Sequence, residues 1–313
     1  MAAPAGLGSD SVPAGVIVPV HGFAPYLAEA VDAVVGERPQ AVVVVDDGSS
    51  RPLTLHPDHA AAGVRLVRRE VAGGPALARA AGLEALSPDL ELVALCDADD
   101  AWTPGSLAAL TDALTVEPEA GWAFGRALVV GPDGRATGEQ WERPAGGRHA
   151  AATFAPALYA ANPVPTSSVV LRRSALQAAG GFPGPVRVAE DWELWLRLAR
   201  AGQDALCVPE ATVRYRRHPD GLTADVTRLA RAQLALHAAH ADLVGPDEHV
   251  AAEARDLAAL ADGLARDGDR RSARGAWTQV AARRRLSRRE QAKRMALAVP
   301  GGERLLARAD PYR

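Results

Sequence analysis

The sequence predicts an α/β fold: a mostly parallel sheet flanked by helices, with a helical region at the C-terminal end. Three observations carry this. Short β-branched apolar runs alternate with segments of helical period, joined by short loops, from residue 15 to residue 114. Acidic residues follow two of those runs directly, at Asp46-Asp47 and at Asp97, Asp99 and Asp100. From about residue 222 the composition shifts to Ala, Arg, Asp and Leu at helical spacing.

The elements follow in order. Residues 1–14 are rich in Pro, Gly and Ser, and are expected to be disordered. GVIVPV (15–20) reads as a buried strand, PYLAEAVDAVVG (25–36) as a helix stopped by Gly36, and AVVVVDDGSS (41–50) as a strand running into turn residues. VRLVRRE (64–70) is a weaker strand, and GPALARAAGLEAL (74–86) a helix opened by Gly-Pro. LELVALCDADD is a strand plus loop, and the next helix is expected to begin at Pro104 with Thr103 before it and Asp100 as a capping acid. Residues 121–141 read as a strand, a turn at GPDG and a second strand. Residues 151–182 hold a helix, a strand at 167–172 and a short helix ending at Gly180-Gly181. AEDWELWLRLARAG (189–202) is an amphipathic helix and ALCVPEATVRYRRH (205–218) a strand.

Composition narrows the class. With 313 residues, 48% hydrophobic and 23% charged, the chain can bury a sizeable core. A net charge of −3 gives no reason to expect nucleic acid as a partner. Cys96 and Cys207 are isolated among apolar neighbours, which argues for buried thiols in a reducing compartment, not a disulfide framework or a zinc cluster. The N-terminus lacks the pattern of a signal peptide, and no apolar run approaches the ~20 residues that cross a bilayer. The expected protein is soluble and cytoplasmic.

Three carboxylates within four positions repel one another, so the Asp97–Asp100 cluster needs a partner. Hard oxygen donors on one turn suit Mg2+ or Mn2+, completed by water and phosphate. A carboxylate at the end of a buried strand, such as Asp47, can accept a hydrogen bond from a nucleobase or a ribose. Glu190-Asp191 opens the helix that carries Trp192 and Trp195. These acids either complement the helix dipole or supply a general base. The tryptophans either fill the core or flank a sugar ring.

In order and spacing, PVHG, VDDGSS, AGGPALARAAG, DADDAW and AEDWELWLRLARAG resemble the motifs of family 2 glycosyltransferases, over roughly residues 15–220. The resemblance implies the Rossmann-like A-type nucleotide-sugar fold and an inverting transfer from a nucleotide-diphosphate sugar to an acceptor hydroxyl. It implies that Asp47 bonds the nucleobase in a pocket shaped by Pro19, Val20 and His21, and that Gly74 lies against the nucleotide. Asp97, Ala98 and Asp99 would meet the ribose and the metal–diphosphate, with Asp99 the more direct ligand and Asp97 beside it. Asp191 would be the catalytic base, with Glu190 and Trp192 facing the acceptor. His218 falls where some relatives carry a His near the metal. Arg172 and Arg173 match a family pattern without an assigned role. His21-Gly22, Ala80 and Arg51 depart from the usual residues, and they bear on nucleotide preference.

The implied organisation is a catalytic domain over 15–221 and a helical region over 222–313. The acceptor is a glycan, a lipid-linked molecule or a small molecule. The basic stretch at 270–299 is either a solvated helical face or a surface for anionic lipid at the inner membrane face or for a phosphorylated acceptor. A non-catalytic nucleotide-sugar-binding subunit is the alternative on the same fold. A nucleotidyltransferase would carry a Gly-rich, basic phosphate loop near the first strand, which PVHGFAPYL lacks.

Overall fold

The computed structural model describes residues 11–139, 141, 144–184, 188–219 and 221–299. Most of the N-terminal stretch expected to be disordered, residues 1–10, lies outside the described residues. The chain divides into two compact units, one ending at His218 and the other beginning at Pro219.

The first unit holds a nine-stranded mixed sheet in the order β3-β2-β1-β4-β8-β6-β9-β5, with β7 paired to β9. Its strands are β1 (Val12–Val20), β2 (Pro39–Asp47), β3 (Arg65–Arg69), β4 (Leu92–Leu95), β5 (Ala101–Trp102), β6 (Trp122–Val130), β7 (Gly147–His149), β8 (Val169–Arg172) and β9 (Ala205–Arg216). β1 to β4 pair in parallel; β8 runs antiparallel between β4 and β6, and β9 returns parallel to β6. Six of the nine strands therefore share one direction, the mostly parallel arrangement expected from the sequence.

Its helices are α1 (Leu27–Gly36), α2 (Pro57–Ala61), α3 (Pro75–Ala85), α4 (Ser106–Val116), α5 (Ala151–Ala160), α6 (Arg173–Ala178) and α7 (Glu190–Arg200). The β1 alternation shows why both faces are covered. Val16, Val18 and Val20 join Val31 of α1 and Leu107 and Leu110 of α4 in one core. On the other face, Gly82 of α3 lies so close to β1 that a Cβ there would collide with Ile17.

Several expectations change. β1 begins at Val12, earlier than expected. α4 begins at Ser106, and Asp100 does not cap it; the Glu37 carboxylate at the end of α1 accepts from the amides of Gly105 (2.7 Å) and Leu107 (2.9 Å) instead. The second strand expected after GPDG is reduced to one bridge, Val130 to Ala136. Arg172 and Arg173 serve the backbone: Arg172 donates to the carbonyls of Ala120 (2.9 Å) and Leu114 (2.5 Å), and Arg173 to those of Leu90 (3.0 Å) and Ser87 (2.9 Å).

The second unit is helical: α8 (Val226–Ala239), α9 (Pro246–Arg266), α10 (Arg270–Arg283) and α11 (Arg288–Ala296). Leu257, Ala261 and Leu264 of α9 pack with Ala273, Trp277 and Val280 of α10 around a core of their own. Among the described residues, no helix is long and apolar enough to cross a membrane.

Candidate active site

The parallel register sets the carboxyl ends of β1, β2 and β4 along one edge of the sheet, where ligands bind in such folds. The acids of β2 are held tightly there. Asp46 accepts from the amides of Ser49 and Leu53, each at 3.0 Å, and from Arg68 at 2.5 Å. Burial pushes its carboxyl upward, but these donors outweigh it and hold the group below the ordinary carboxylate range. Asp47 accepts from the amides of Gly73 (3.0 Å) and Gly74 (2.7 Å) and pairs with Arg69. Gly74 occupies φ 92° as the residue before α3, a conformation that favours glycine and lets its amide turn toward Asp47. A Cβ on Gly48 (φ 63°) would strike the backbone of Ala72, so the two turns touch directly. Pro19 and Val20 are buried as the last residues of β1; His21 stands exposed beyond them, its Nδ1 2.7 Å from the Asp47 carbonyl.

The acids after β4 find different partners. Asp97 accepts from Arg79 Nη2 at 2.6 Å, and its amide donates to Ser167 Oγ at 2.9 Å. Ala98 is half-buried. Asp99 Oδ2 lies 3.0 Å from His218 Nε2. Asp100 is buried, accepting from the Ser167 hydroxyl (2.5 Å) and the Arg216 amide (2.8 Å). Burial first, then the neighbouring carboxylates, push Asp100 well above its ordinary value. Asp99 is raised by burial and by the Asp97 charge, with His218 pulling against them. The repulsion in the cluster is thus shared among a guanidinium, an imidazole and a hydroxyl. Arg216 closes the far side: it stacks on Tyr26 at 4.3 Å, bonds the Asp99 carbonyl at 2.9 Å and reaches Glu29 at 2.6 Å.

Asp191 stands in the first turn of α7. Thr166 Oγ1 (2.7 Å) and Asn162 Nδ2 (3.1 Å) both donate to its Oδ2. Ala189, left-handed at φ 61°, turns the chain into this helix. Glu190 is buried and takes Arg79 Nη1 at 2.8 Å, so one guanidinium joins it to Asp97. Burial raises the Glu190 carboxyl, Arg79 opposes it, and Asp191 adds to it. Burial, then the charges of Asp100 and Asp99 and, further down, Asp191, raise the Tyr215 phenol, with Arg217 opposing them.

Two expected acceptor contacts are corrected by burial. Trp192 lies in the core with its indole N–H on the Leu158 carbonyl (2.5 Å), which leaves no ring face for a sugar. The Glu190 carboxylate is engaged by Arg79. Trp195 is core as well, stacked on Trp122 at 5.1 Å. Thr166, Ser167 and Asn162, which hold the acids in place, carry no motif of their own; the nearest signal is the stretch ANPVPTSS ahead of β8.

Among the described residues, no three or more His, Cys, Asp or Glu side chains converge. Mg2+ and Mn2+ need one or two carboxylates when phosphate and water supply the rest. Asp99, 38% exposed, and His218 beside it meet that lower requirement, with Asp97 (30% exposed) next along the loop.

A mostly parallel sheet with carboxylates on the turns at one edge, and an acid-bearing helix beside them, is the arrangement expected of the A-type nucleotide-sugar fold. The family model described as "Glycosyl transferase family 2" matches residues 15–175, more than half of the chain, and the chain belongs to that family. It is a glycosyltransferase. The fold is similar to that of S. aureus TarS 1–349 (TM-score 0.56, 17% identity, 94% of this chain and 87% of that chain). It is similar to TarS 1–349 in complex with UDP-GlcNAc (TM-score 0.58, 16% identity, 94% and 88%). It also resembles the mannosyltransferase PcManGT from Pyrobaculum calidifontis in complex with GDP-Man and Mn2+ (TM-score 0.53, 20% identity, 97% and 89%). No curated protein matches the chain by sequence.

Proposed function

We propose that this glycosyltransferase is an inverting, metal-assisted enzyme that moves a sugar from a nucleotide-diphosphate donor to an acceptor hydroxyl, with Asp191 as general base. The donor lies along the sheet edge. His21 sits at the rim of the nucleotide pocket, and Asp47 with Gly74 forms its wall. Asp99, with Asp97 and His218 beside it, would hold Mg2+ or Mn2+; when bound, the ion neutralises the diphosphate and stabilises the leaving group as its charge develops. Asp191 orients the acceptor hydroxyl and takes its proton as the oxygen attacks the anomeric carbon. The bond to the diphosphate oxygen breaks on the opposite face. A single displacement inverts the configuration, and no carboxylate nucleophile is required, unlike retaining hydrolases.

The observation that carries this reading is the setting of Asp191, held through one oxygen by Thr166 and Asn162, with its other oxygen unbonded among the described residues. Asp191→Asn is expected to keep donor binding and lose about 100-fold or more in turnover. A thermal-shift panel of nucleotide-sugars with manganese identifies the donor, and product detection follows. Undiminished transfer by Asp191→Asn would rule out the base. A wild-type protein that binds donors yet transfers and hydrolyses none would instead be a non-catalytic binding subunit.

A second reading concerns place. Residues 270–299 hold ten basic residues and one acid, Glu290. Arg271, Arg274, Arg288 and Arg289 are exposed, as are Met295 and Val299. This supports a cytoplasmic enzyme held peripherally on anionic lipid at the inner membrane face, where each basic residue near the surface contributes about 1 kcal/mol. Reversing those four arginines to Glu should weaken co-sedimentation with phosphatidylglycerol vesicles at least ~10-fold. Equal binding by the variant removes the lipid from the account.

A further inference from the structure

We propose that Arg79 is a positioning residue that sets the general base in register with the donor loop; this rests on the reading of Asp191 above. Arg79 lies within α3, 2% exposed, and reaches two segments far apart in the chain. Its Nη2 holds Asp97 at 2.6 Å, on the loop after β4, and its Nη1 holds Glu190 at 2.8 Å, the residue beside the base. Burial works against the guanidinium charge, and the carboxylates of Asp97 and Glu190 more than reverse it.

Such a triad is a poor device for stability alone. Desolvating three charges consumes most of the Coulombic gain, and apolar replacements are often as stable. What the planar fork provides is a fixed span, which the point charge of a lysine cannot reproduce. The span matters because α7 has no side-chain cap at its N-terminus and is entered through the left-handed Ala189. Fastening Glu190 sets the first turn of α7, and with it Asp191. Fastening Asp97 with the same cation sets the donor acids against that turn. Glu190 thereby acts through Arg79, not through the acceptor.

The test compares Arg79→Lys and the double variant Arg79→Met/Glu190→Gln, which removes one buried charge together with its partner, with wild type and Asp191→Asn. Melting temperature, donor affinity by calorimetry and kcat for transfer are measured on the full chain. The double variant is expected to lower kcat about 100-fold, the scale of an ångström's misplacement of a catalytic group, with a smaller fall in donor affinity, no more than about tenfold, because Asp97 also loses its partner. Arg79→Lys is expected to lower the melting temperature, because it holds one carboxylate and not both, and to lose kcat while donor affinity changes far less. A folded variant of either kind with kcat within threefold of wild type overturns the proposal. So does a loss in which donor affinity falls as far as kcat. If the double variant does not fold, Arg79→Lys decides alone. Normal turnover in Asp191→Asn would mean that the base assignment had failed. An inactive Asp191→Asn beside fully active Arg79 variants would mean that the coupling alone had failed.

Discussion

The carboxylates that end β2 and those that follow β4 look alike in sequence, each set coming directly after a buried apolar run. Their surroundings differ. The side chains of Asp46 and Asp47 are 1% and 4% exposed and are held by Arg68, Arg69 and backbone amides, so their charge is neutralised within the protein. Those of Asp97 and Asp99 are 30% and 38% exposed; the Arg79 guanidinium lies beside the first and the His218 imidazole beside the second. Burial and a like charge raise Asp99, while hydrogen bonds lower Asp46. The first pair clamps two turns together; the second, on the function proposed above, would hold the cation. Counting acids at strand ends does not separate these roles, whereas counting their donors does.

The largest effect is expected at Asp99. Asp99→Ala should remove the manganese-dependent part of donor binding in calorimetry and lower turnover about 100-fold, the scale expected when charge stabilisation at a leaving group is lost. The melting temperature should hold or rise, because the deleted carboxyl is one that burial and Asp97 disfavour in its charged form. Manganese dependence unchanged from wild type would place the ion elsewhere and erase the contrast between the two strand ends.

How far the sequence carries differs between fold and site for physical reasons. β1, β2 and β4 are legible because strands buried on both faces read as continuous apolar runs. β5 and α2 are too short to leave a period. The start of α4 is set by Glu37, 68 residues from Gly105, a partner that no local signal announces. Within the site, the acids are legible because carboxylates after a buried strand are unusual. Their partners are not: Arg79 lies mid-helix among alanines, and Thr166 and Ser167 sit in a Pro-flanked turn without periodicity. Trp192 shows the opposite error. An aromatic beside an acid that opens a helix suggests a ligand face, but the amphipathic period of α7 turns that residue inward, to the Leu158 carbonyl.

The smaller test lies at the clamped end and sharpens the contrast through pH. Asp46→Asn removes a charge that accepts from Arg68 and two amides, and should destabilise the fold by about 2 kcal/mol at pH 7, the scale of hydrogen bonds to a charged group. Turnover of the folded variant should stay within a few-fold of wild type. The folded carboxyl titrates below its ordinary value, so its contribution is fully present above the unfolded pKa of about 3.9 and is lost as pH falls through the lower, folded value. Urea unfolding of wild type and Asp46→Asn, taken from pH 7 to about pH 3, should therefore show two stabilities that differ at neutral pH and converge below about pH 4. A gap that stays constant across that range would mean that Asp46 contributes through packing and not through its charge, and the clamp would have to be assigned to Asp47 and Arg69 alone.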